Sequence, residues 1–502
     1  MKDKILFWCD RKFMHFGIAK SLQEKYDCDL FAIIQLADRT KEIFREQPVA
    51  KFNQIWIFND YVSKENQNSD LNFLASFEEK YNIDLWKIAY TDVSLSSYNK
   101  YHKFTRDEIL SLFTQECKLF EEVLDKVKPH FLAIRSYDNQ DTRILVELCK
   151  ARGIKILMTT ITRLDDRWII SDEEDYVENY TENCSDSILT SDELQKYLDQ
   201  FTSHSSVRQE KFMAYRKNNR WKGLKSSLSL LLFHNNDKYL FLSHGRTRSK
   251  IITKNICSML KKKYRSTFIN KNCTHEINKN EKFIFFPLQY EPERSIFVPA
   301  PFYTNQLEVI KNIAKSLPVE YKLYVKEHPG MQVQNWRTIS YYKQIMNLPN
   351  VRLIHTSVDT KEIIKKCSLV VTIGGSACFE AAFSNKPSIV FTDVSFSSLP
   401  SVHRIKSFED LPQVIRVSLQ KKIDSSELRK FIQFIDQKSI KFNFLDSLLE
   451  VDAFYDKGIF SNNALTIENI EACLERNKPV FDMWALEHIK KINELKNTDI
   501  KI

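Results

Sequence analysis

Apolar and polar residues alternate along the first 170 residues in a pattern typical of strands and helices that follow one another. The predicted strands span 4–9, 29–35, 129–134 and 155–160, and the predicted helices span 16–26, 107–127 and 141–152. Gly153 follows the last of these helices as its expected C-terminal cap. Residues 129–160 therefore form a strand–helix–strand unit, for which we expect a parallel sheet and a right-handed crossover.

The pattern stops between residues 171 and 280 and resumes at residue 281. Further strands are predicted at 282–286, 321–325, 351–354, 369–373 and 388–391, with helices at 305–316, 360–367 and 377–384. Two α/β halves of this kind predict the glycosyltransferase B (GT-B) architecture, in which two Rossmann-like domains face each other across a cleft. The predicted units are an N-terminal Rossmann-like domain at 1–170, a charged insertion or linker at 171–280, a C-terminal Rossmann-like domain at 281–423 and a helical tail at 424–502.

Composition supports a folded protein of two or three domains, since 43% of the 502 residues are hydrophobic and 28% are charged. The ten cysteines include no C-x-x-C pair, which predicts reduced thiols in a cytoplasmic setting. The apolar run near 228–233 is too short to cross a bilayer, and the run near the N-terminus is too short for a secretion signal. We therefore expect a cytoplasmic location.

The net charge of +9 is distributed unevenly. Residues 171–206 contain ten acidic residues and one lysine, whereas residues 207–282 contain nineteen Lys and Arg against four acidic residues. A basic block of this size suits anionic lipid headgroups or nucleic acid, and a solvated face beside an acidic loop is an equally good interpretation. We expect peripheral contact of 207–282 with the inner membrane face, and no nucleic acid partner.

Glycine is scarce, with 8 in the chain, yet Gly374 and Gly375 stand together where an apolar strand turns into a helix. At such a turn, backbone N–H groups approach an anion closely. Upstream, Lys326 ends another predicted strand and is followed by His328 and Pro329. Because the carboxyl ends of parallel strands meet at one edge of a sheet, these residues predict a phosphate-binding site typical of a nucleotide-sugar protein.

Three segments in this half resemble motifs of the capsule polysaccharide biosynthesis family. They are Phe285-Phe-Pro-Leu-Gln289-Tyr-Glu-Pro-Glu293, Lys326-Glu-His328-Pro329, and Gly375-Ser376 followed by Glu380-Ala and Lys386-Pro387. The resemblance covers 281–395, and the family includes transferases that move Kdo from CMP-Kdo in bacterial surface-glycan assembly. It implies a glycosyltransferase with a nucleotide-sugar donor, CMP-Kdo-like favoured, and a glycan or lipid-linked acceptor.

The resemblance also implies roles for single residues. His328 would donate to the nucleotide phosphate, Ser376 would contact it, and Glu380 would reach ribose or sugar hydroxyls. The rest of the implied donor site consists of Gln289, Glu293, Lys326, Pro329, Gly374 and Gly375. With cationic groups at the site we expect no metal and no cofactor. Each residue also has a structural alternative, such as a packing turn, a surface acid or a solvated loop.

Sugar transfer further requires a general base near the acceptor hydroxyl, normally on the N-terminal domain. Asp10 ends the first predicted strand, His15 precedes the first helix, and Asp138 follows the strand at 129–134. We expect the catalytic base among these three, although each also suits a plain cap or loop role. The resemblance does not extend to this half, so the acceptor stays open.

Three other functions are compatible with the same sequence. One is a teichoic-acid-type polyol-phosphate transferase, which shares a His-Pro strand end but usually has an acidic turn where this chain has Gly-Gly-Ser. Another is a UDP-sugar 2-epimerase of the same fold, which needs no acceptor. The last is a non-catalytic binding protein. Binding of different nucleotides distinguishes the first two from the last.

Overall fold

A computed structural model describes residues 2–9, 14–35, 44–63, 68–96, 101–162, 167–173, 192–199, 247–332, 336–442 and 467–499. It also describes positions 41, 66, 99, 164, 189–190 and 245. Within these ranges the chain forms two α/β domains, each built on its own sheet.

The first domain is built on a seven-stranded sheet within the described residues. Its strands are β1 (Asp3–Cys9), β2 (Cys28–Ile34), β3 (Gln54–Ile57), β4 (Phe131–Ile134), β5 (Lys155–Ile161), β6 (Arg167–Ser171) and β13 (Ile440–Lys441). They lie in the order β13-β6-β5-β4-β1-β2-β3. Strands β1 to β5 pair in parallel, which confirms the predicted strand–helix–strand unit, whereas β6 and β13 add an antiparallel edge.

Helices cover both faces of this sheet. They are α1 (Met14–Lys25), α2 (Phe58–Tyr61), α3 (Leu71–Tyr81), α4 (Leu85–Thr91), α5 (Arg106–Val127) and α6 (Gln140–Ala151). A capping box fixes the start of α5, because the Thr105 hydroxyl accepts from the Glu108 N–H while the Glu108 carboxylate accepts from the Thr105 N–H at 2.7 Å. Gly153 follows α6 with a φ of 71°, as expected for a left-handed residue just past a helix end.

The second domain contains a six-stranded parallel sheet among the described residues. Its strands are β7 (Lys282–Pro287), β8 (Tyr321–Lys326), β9 (Val351–Ile354), β10 (Leu369–Thr372), β11 (Ser388–Val390) and β12 (Val402–Arg404). They lie in the order β12-β11-β10-β7-β8-β9. The strands are almost wholly buried, which explains why they appear in the sequence as continuous apolar runs.

Helix α7 (Arg248–Asn272) leads into this domain. The helices that follow are α8 (Arg294–Phe297), α9 (Gln306–Ser316), α10 (Ile339–Met346), α11 (Thr360–Lys366), α12 (Ala377–Phe383), α13 (Leu411–Gln420) and α14 (Ser425–Lys438). Short 3-10 turns lie at Pro301–Tyr303, Pro329–Gln332 and Phe408–Asp410.

The end of the chain returns to the first domain. Helices α15 (Ile467–Arg476) and α16 (Lys478–Asp499) pack on the face of the first sheet that α1 covers. Trp484 is fully buried, with its ring 6.2 Å from that of Trp168. A Cβ on Gly17 would lie 2.6 Å from the Phe481 ring, so the absence of a side chain at Gly17 permits this packing. The last two helices of the predicted tail therefore complete the core of the first domain, whereas α14 packs on α12 of the second domain.

The carboxyl edges of the two sheets face each other. Asp138, in the loop after β4, forms an ion pair with Arg294, after β7, with Oδ1 and Nε 2.8 Å apart. The Ser395 hydroxyl, after β11, donates to the carbonyl of Thr162, after β5, at 3.5 Å. These contacts place loops from both sheets across one cleft, which is the predicted GT-B arrangement.

The charged region 171–280 is described in part. Residues 192–199 are helical, and most of the rest of the described region belongs to α7. Much of the predicted basic block, from 207 to 244, lies outside the described residues. Among the helices that the structure describes, none has both the length and the apolar character needed to cross a bilayer.

Candidate functional site

The predicted donor residues lie at the carboxyl ends of three neighbouring strands. Strand β7 has β10 on one side and β8 on the other. Since adjacent strands lie about 4.8 Å apart, the ends of β8 and β10 are about 10 Å from each other. The loops after these strands carry Gln289, His328 and Ser376. The structure thus brings the three predicted segments to one edge, on the side that faces the first domain.

Gln289 holds the glycine turn. Its amide is buried beside the turn, and the orientation that satisfies all its neighbours directs the amide oxygen inward. In that orientation the oxygen accepts from the N–H groups of Gly374 at 3.0 Å and Gly375 at 2.8 Å. A Cβ on Gly375 would come within 3.0 Å of the Gln289 amide and of the Thr372 hydroxyl. Gly375 therefore permits this close approach, and in this structure both glycine N–H groups already have an acceptor.

The His328-Pro329-Gly330 turn fixes the tautomer of His328. Nδ1 of the ring accepts a hydrogen bond from the Gly330 N–H at 3.0 Å. The neutral ring must therefore carry its proton on Nε2. The ring packs edge-to-face on Tyr290 with 5.7 Å between centroids. The turn consequently presents an N–H donor at the tip of the His328 ring.

Loss of hydration and neighbouring positive charges keep the His328 imidazole neutral. Loss of hydration, followed by the positive charges of Arg337 and Lys326, lowers the pKa of His328 to about 4. The side chain is nevertheless exposed to solvent. His328 is therefore a neutral hydrogen-bond donor that solvent or a ligand can reach at the carboxyl edge of the second sheet.

Lys326 is the last residue of β8 and is buried. Its Nζ donates to the Thr360 hydroxyl at 2.6 Å, at the start of α11. Burial lowers the pKa of Lys326 to about 8, while the carboxylates of Asp359 and Glu380 oppose that shift. The ammonium is therefore mostly charged at pH 7 and loses its charge above pH 8. Lys326 is therefore a buried cation at the carboxyl end of β8.

Glu380 lies in the first turn of α12. Burial raises the pKa of Glu380 to about 7, against the effects of the Ser376 hydroxyl and of Lys326. The Ser376 hydroxyl lies 3.5 Å from Glu380 Oε1, at the limit of a hydrogen bond. The charge of Lys326 lowers the pKa of both His328 and Glu380. The three side chains belong to one cluster, together with Ser376.

A buried ion network, which no sequence pattern indicated, supports the His328 turn. Glu327 Oε1 accepts from the His328 N–H at 2.7 Å, and Glu327 Oε2 lies 2.9 Å from Nε of Arg337. Arg337 also pairs with Glu291 and donates to the Gln289 carbonyl at 2.6 Å. Burial opposes the charge of Arg337, but Glu327 and Glu291 raise its pKa well above the usual value. The network ties the loop after β7 to the loop after β8.

Two further predicted donor residues lie beside the cluster. Pro329 begins the 3-10 turn that follows His328. Glu293 occupies the N-cap position of α8, directly before Arg294, where its side chain makes no capping hydrogen bond. Because the neighbouring Arg294 pairs with Asp138, Glu293 lies on the side of the Gln289 loop that is next to the first domain.

The three candidate bases occupy different surroundings. Asp10 lies outside the described residues. His15 lies within α1 and is 1% exposed, and burial together with the charges of His488 and Arg135 lowers its pKa well below the usual value. Neither ring nitrogen of His15 has a hydrogen-bond partner among the described residues. Asp138 lies at the cleft, paired with Arg294. Of the two described candidates, Asp138 is the one placed in the loop that contacts the second domain.

The first domain also holds a cluster of three buried acids that the sequence analysis missed. Asp92, Glu116 and Asp141 meet at the start of α6, where the Gln140 N–H donates to Asp92 at 2.9 Å and the Gln140 amide donates to Glu116 at 3.2 Å. Burial raises the pKa of Asp141 to about 6, and burial with the neighbouring Asp141 raises that of Glu116 well above its usual range. Glu116 did not stand out in the sequence as a buried acid, because the amphipathic helix that contains it carries several other acidic residues.

No three His, Cys, Asp or Glu side chains in the described ranges meet in an arrangement that would hold a metal ion. The fold and the cluster define a two-domain α/β protein of GT-B type, with the His328 imidazole and the Lys326 ammonium at the carboxyl edge of the second sheet. Residues 192–399 match the model of the family described as capsule polysaccharide biosynthesis protein. This match confirms the resemblance to that family predicted from the three motifs, and it extends the matched part of the chain to include α7. No curated protein sequence matches the chain significantly.

Solved structures with a distant likeness include UDP-GlcNAc 2-epimerase from Methanocaldococcus jannaschii, 11% identical with a TM-score of 0.24 over 87% of this chain and 100% of that chain. Another is UDP-GlcNAc 2-epimerase from Neisseria meningitidis bound to UDP-GlcNAc, 12% identical with a TM-score of 0.26 over 87% and 99%. A third is Thermosulfurimonas dismutans KpsC, a beta Kdo 2,7 transferase, 12% identical with a TM-score of 0.30 over 67% and 89%. Similarity this low supports no conclusion about function.

Proposed function

We propose that the protein is a GT-B glycosyltransferase of surface or capsular polysaccharide biosynthesis that uses a nucleotide-activated sugar. The family match over 192–399 supports this proposal, because it includes every loop of the donor cluster. The observation that carries the proposal is the pairing of a neutral imidazole donor, His328, with a buried ammonium, Lys326, at the same edge of the sheet.

The proposed reaction breaks the bond between the anomeric carbon of the sugar and the nucleotide phosphate. Negative charge then develops on the phosphate oxygens. In our proposal, Nε2–H of His328 donates to one of these oxygens and the ammonium of Lys326 neutralises part of the charge. Preorganised donors of this kind, in a cleft with little water, lower a barrier by several kcal/mol. Since Lys326 supplies a positive charge, we propose a metal-independent reaction.

Ser376 and Glu380 suit recognition of the rest of the donor. With its pKa raised to about 7, Glu380 is partly protonated near neutral pH and can both donate to and accept from hydroxyl groups. We propose that it binds ribose or sugar hydroxyls, and that Ser376 contacts the phosphate. Gln289 would act indirectly by fixing the glycine turn. On the family resemblance we favour a CMP-Kdo-like donor and a glycan or lipid-linked acceptor.

The acceptor hydroxyl attacks the anomeric carbon and its proton passes to a base on the first domain. We propose Asp138 or Asp10 for this role. Asp138 is 42% exposed at its side chain, with Arg294 at its Oδ1 and the Ser136 hydroxyl donating to its Oδ2 at 3.1 Å, so these two groups would orient the carboxylate that takes the proton. The buried ring of His15 suits a structural role next to the site better than direct contact with an acceptor.

A thermal-shift panel of CMP, CDP, UDP and GDP tests the donor class. We expect a clear rise in Tm with one base, largest for CMP, because a ligand at 100 times its Kd stabilises a protein by about 2.7 kcal/mol. His328→Ala and Ser376→Ala should remove most of the shift. The matched controls are His130→Ala, at the opposite edge of the first sheet, and Ser340→Ala, on the exposed surface of α10, and both should keep it.

The same panel separates the alternatives. A shift with UDP, together with turnover of UDP-GlcNAc without an acceptor, would favour the 2-epimerase. A shift with CDP alone would favour the polyol-phosphate transferase. No shift with any nucleotide would contradict the proposal and favour a non-catalytic binding protein.

A further inference from the structure

Helix α7 carries eight Lys and Arg residues and no acidic residue in its 25 positions. It is the largest part of the basic block 207–282 that the structure describes. At about 1.5 Å per residue the helix is about 37 Å long. Such a concentration of charge on one element provides strong electrostatic attraction to an anionic surface.

The same helix exposes a row of apolar side chains. Ile256 is 55% exposed, Met259 and Leu260 are each 71% exposed, and Tyr264 is 72% exposed. Spaced three or four residues apart, these side chains share one face of the helix. Large apolar side chains grouped on one exposed face mark an interaction site more often than scattered single ones do.

The opposite face holds the helix to the body of the protein. Ile269 is 1% exposed and packs in the core of the second domain, and Arg265 donates to the Trp336 carbonyl at 2.9 Å. Near the other end, Lys250 Nζ donates to the Tyr101 carbonyl of the first domain at 3.2 Å. The helix therefore runs from one domain to the other, with its apolar row directed outward.

We propose that this outward face of α7 docks the protein on an anionic lipid membrane. Interfacial helices combine an apolar face that enters the boundary of the acyl chains with cations that meet the headgroups. Here Lys261 and Lys263 lie between and beside Leu260 and Tyr264. Nucleic acid would use the cations but has no use for exposed Ile, Met and Leu side chains. The inference goes beyond the proposed donor site and does not depend on it.

Sedimentation of the full chain with lipid vesicles tests the proposal. We expect binding to vesicles of about 70% phosphatidylcholine and about 30% phosphatidylglycerol. We expect little binding to vesicles of pure phosphatidylcholine. The double variant Lys261→Glu with Lys263→Glu should lower the partition coefficient at least about tenfold, since each basic residue near such a surface is worth about fivefold. Met259→Ser with Leu260→Ser should also lower it, because less apolar surface enters the membrane.

Matched controls change similar residues elsewhere on the surface. Lys343→Glu with Lys366→Glu and Phe302→Ser with Val319→Ser replace exposed cations and exposed apolar residues away from α7. These variants should sediment like the unchanged protein. All four α7 positions are exposed, so the fold should persist, and an unchanged Tm in the absence of any ligand would verify this separately from the membrane result.

Three results would overturn the proposal. One is an unchanged protein that stays in the supernatant with anionic vesicles. Another is an equal loss of binding in the control variants. The third is preferential binding of a 20-nucleotide single-stranded DNA that the change of Met259 and Leu260 leaves intact. Because these measurements use no donor nucleotide, their failure would leave the proposed function standing, and failure of the nucleotide panel would leave the membrane result standing.

Discussion

At the scale of single residues, the donor cluster combines two groups that titrate near neutral pH. Lys326 has a pKa lowered to about 8, and Glu380 has a pKa raised to about 7. Burial is the first cause of both shifts, and each residue partly opposes the shift of the other. The charge of the cluster therefore changes from pH 7 to pH 8. A phosphate ligand should respond to this change.

Lys326→Met should weaken nucleotide binding about 10- to 100-fold, because a hydrogen bond to a charged group contributes about 1.5–3 kcal/mol. It should also change the pH dependence. Above about pH 8, Glu380 is ionised and Lys326 loses its proton, so affinity in the unchanged protein should fall as pH rises to about 9.5. Calorimetric titration at several pH values measures both effects.

Lys343→Met provides the control, since this lysine is exposed on α10. It should leave the affinity and its pH profile unchanged. A variant Lys326→Met that binds nucleotide as tightly as the unchanged protein, or that keeps the fall above pH 8, would show that Lys326 does not contact the phosphate.

The buried acids of the first domain give a second effect at this scale. Asp141 has a pKa raised to about 6 and Glu116 has a pKa raised further above its ordinary value. The folded state then binds protons more tightly than the unfolded chain does. The free energy of unfolding should therefore decrease as pH rises from about 4 through these raised pKa values.

Glu116→Gln should stabilise the protein at high pH, because it removes a carboxylate that burial and Asp141 both disfavour. We expect little change in Tm at about pH 5 and a gain on the order of 1 kcal/mol at about pH 8.5, since one pKa unit corresponds to about 1.4 kcal/mol. Glu122→Gln, at an exposed position on the same helix, should show no gain that grows with pH. A gain that is equal at both pH values would contradict the raised pKa.

At the scale of elements, the sequence predicted most strands and helices of both sheets, including the strand–turn–helix at 369–384. Long apolar or periodic segments such as α5 are determined locally and were therefore predictable. The short strands β3, β6, β12 and β13 were missed because tertiary pairing decides them. Gln289 was predicted as a ligand residue, but its bonds to a turn more than 80 residues later depend on long-range packing. The partner of Glu327, Arg337, was missed for the same reason.

Gly375→Ala tests the glycine turn. The new Cβ would lie 3.0 Å from the Gln289 amide and the Thr372 hydroxyl, both buried, so one of them must move. Forced repacking of this kind costs about 1–3 kcal/mol. We expect a lower Tm, and we expect weaker nucleotide binding because the turn loses the Gln289 amide that holds its two glycine N–H groups in place.

The double variant Gly375→Ala with Gln289→Ala separates this effect from a general loss of stability. Removal of the Gln289 amide makes room for the Cβ, so the two changes together should destabilise less than the sum of the single changes. Additive effects in chemical unfolding would show that Gly375 and Gln289 do not contact each other.

At the scale of the whole molecule, the chain leaves the first domain at β6 and returns to it through β13, α15 and α16. The sequence showed that the last segment is helical, but no local pattern indicates which domain a helix packs on. The return places the first and last described segments on the first domain and makes its core depend on residues far apart in sequence. The orientation of the two sheet edges toward each other likewise depends on long-range contacts such as Asp138–Arg294. No local sequence pattern indicates such contacts.

Trp484→Ala should therefore destabilise the first domain, by about 3–5 kcal/mol, because it empties a fully buried aromatic site against Trp168. In calorimetry we expect the transition of this domain to shift to a lower temperature. Leu486→Ala changes a neighbouring residue on α16 that is 56% exposed, and it should alter Tm little. Equal effects of the two substitutions would contradict the docking of α16 in the core of the first domain.

We propose that a nucleotide phosphate binds in the cleft between the loop of His328 and the turn before α12. A crystal structure with the nucleotide that gives the largest thermal shift tests it most directly. We predict a phosphate oxygen about 3 Å from Nε2 of His328, with Lys326 and Ser376 around the same phosphate. A phosphate bound elsewhere on the protein, or in the cleft without contact to His328, would contradict the claim.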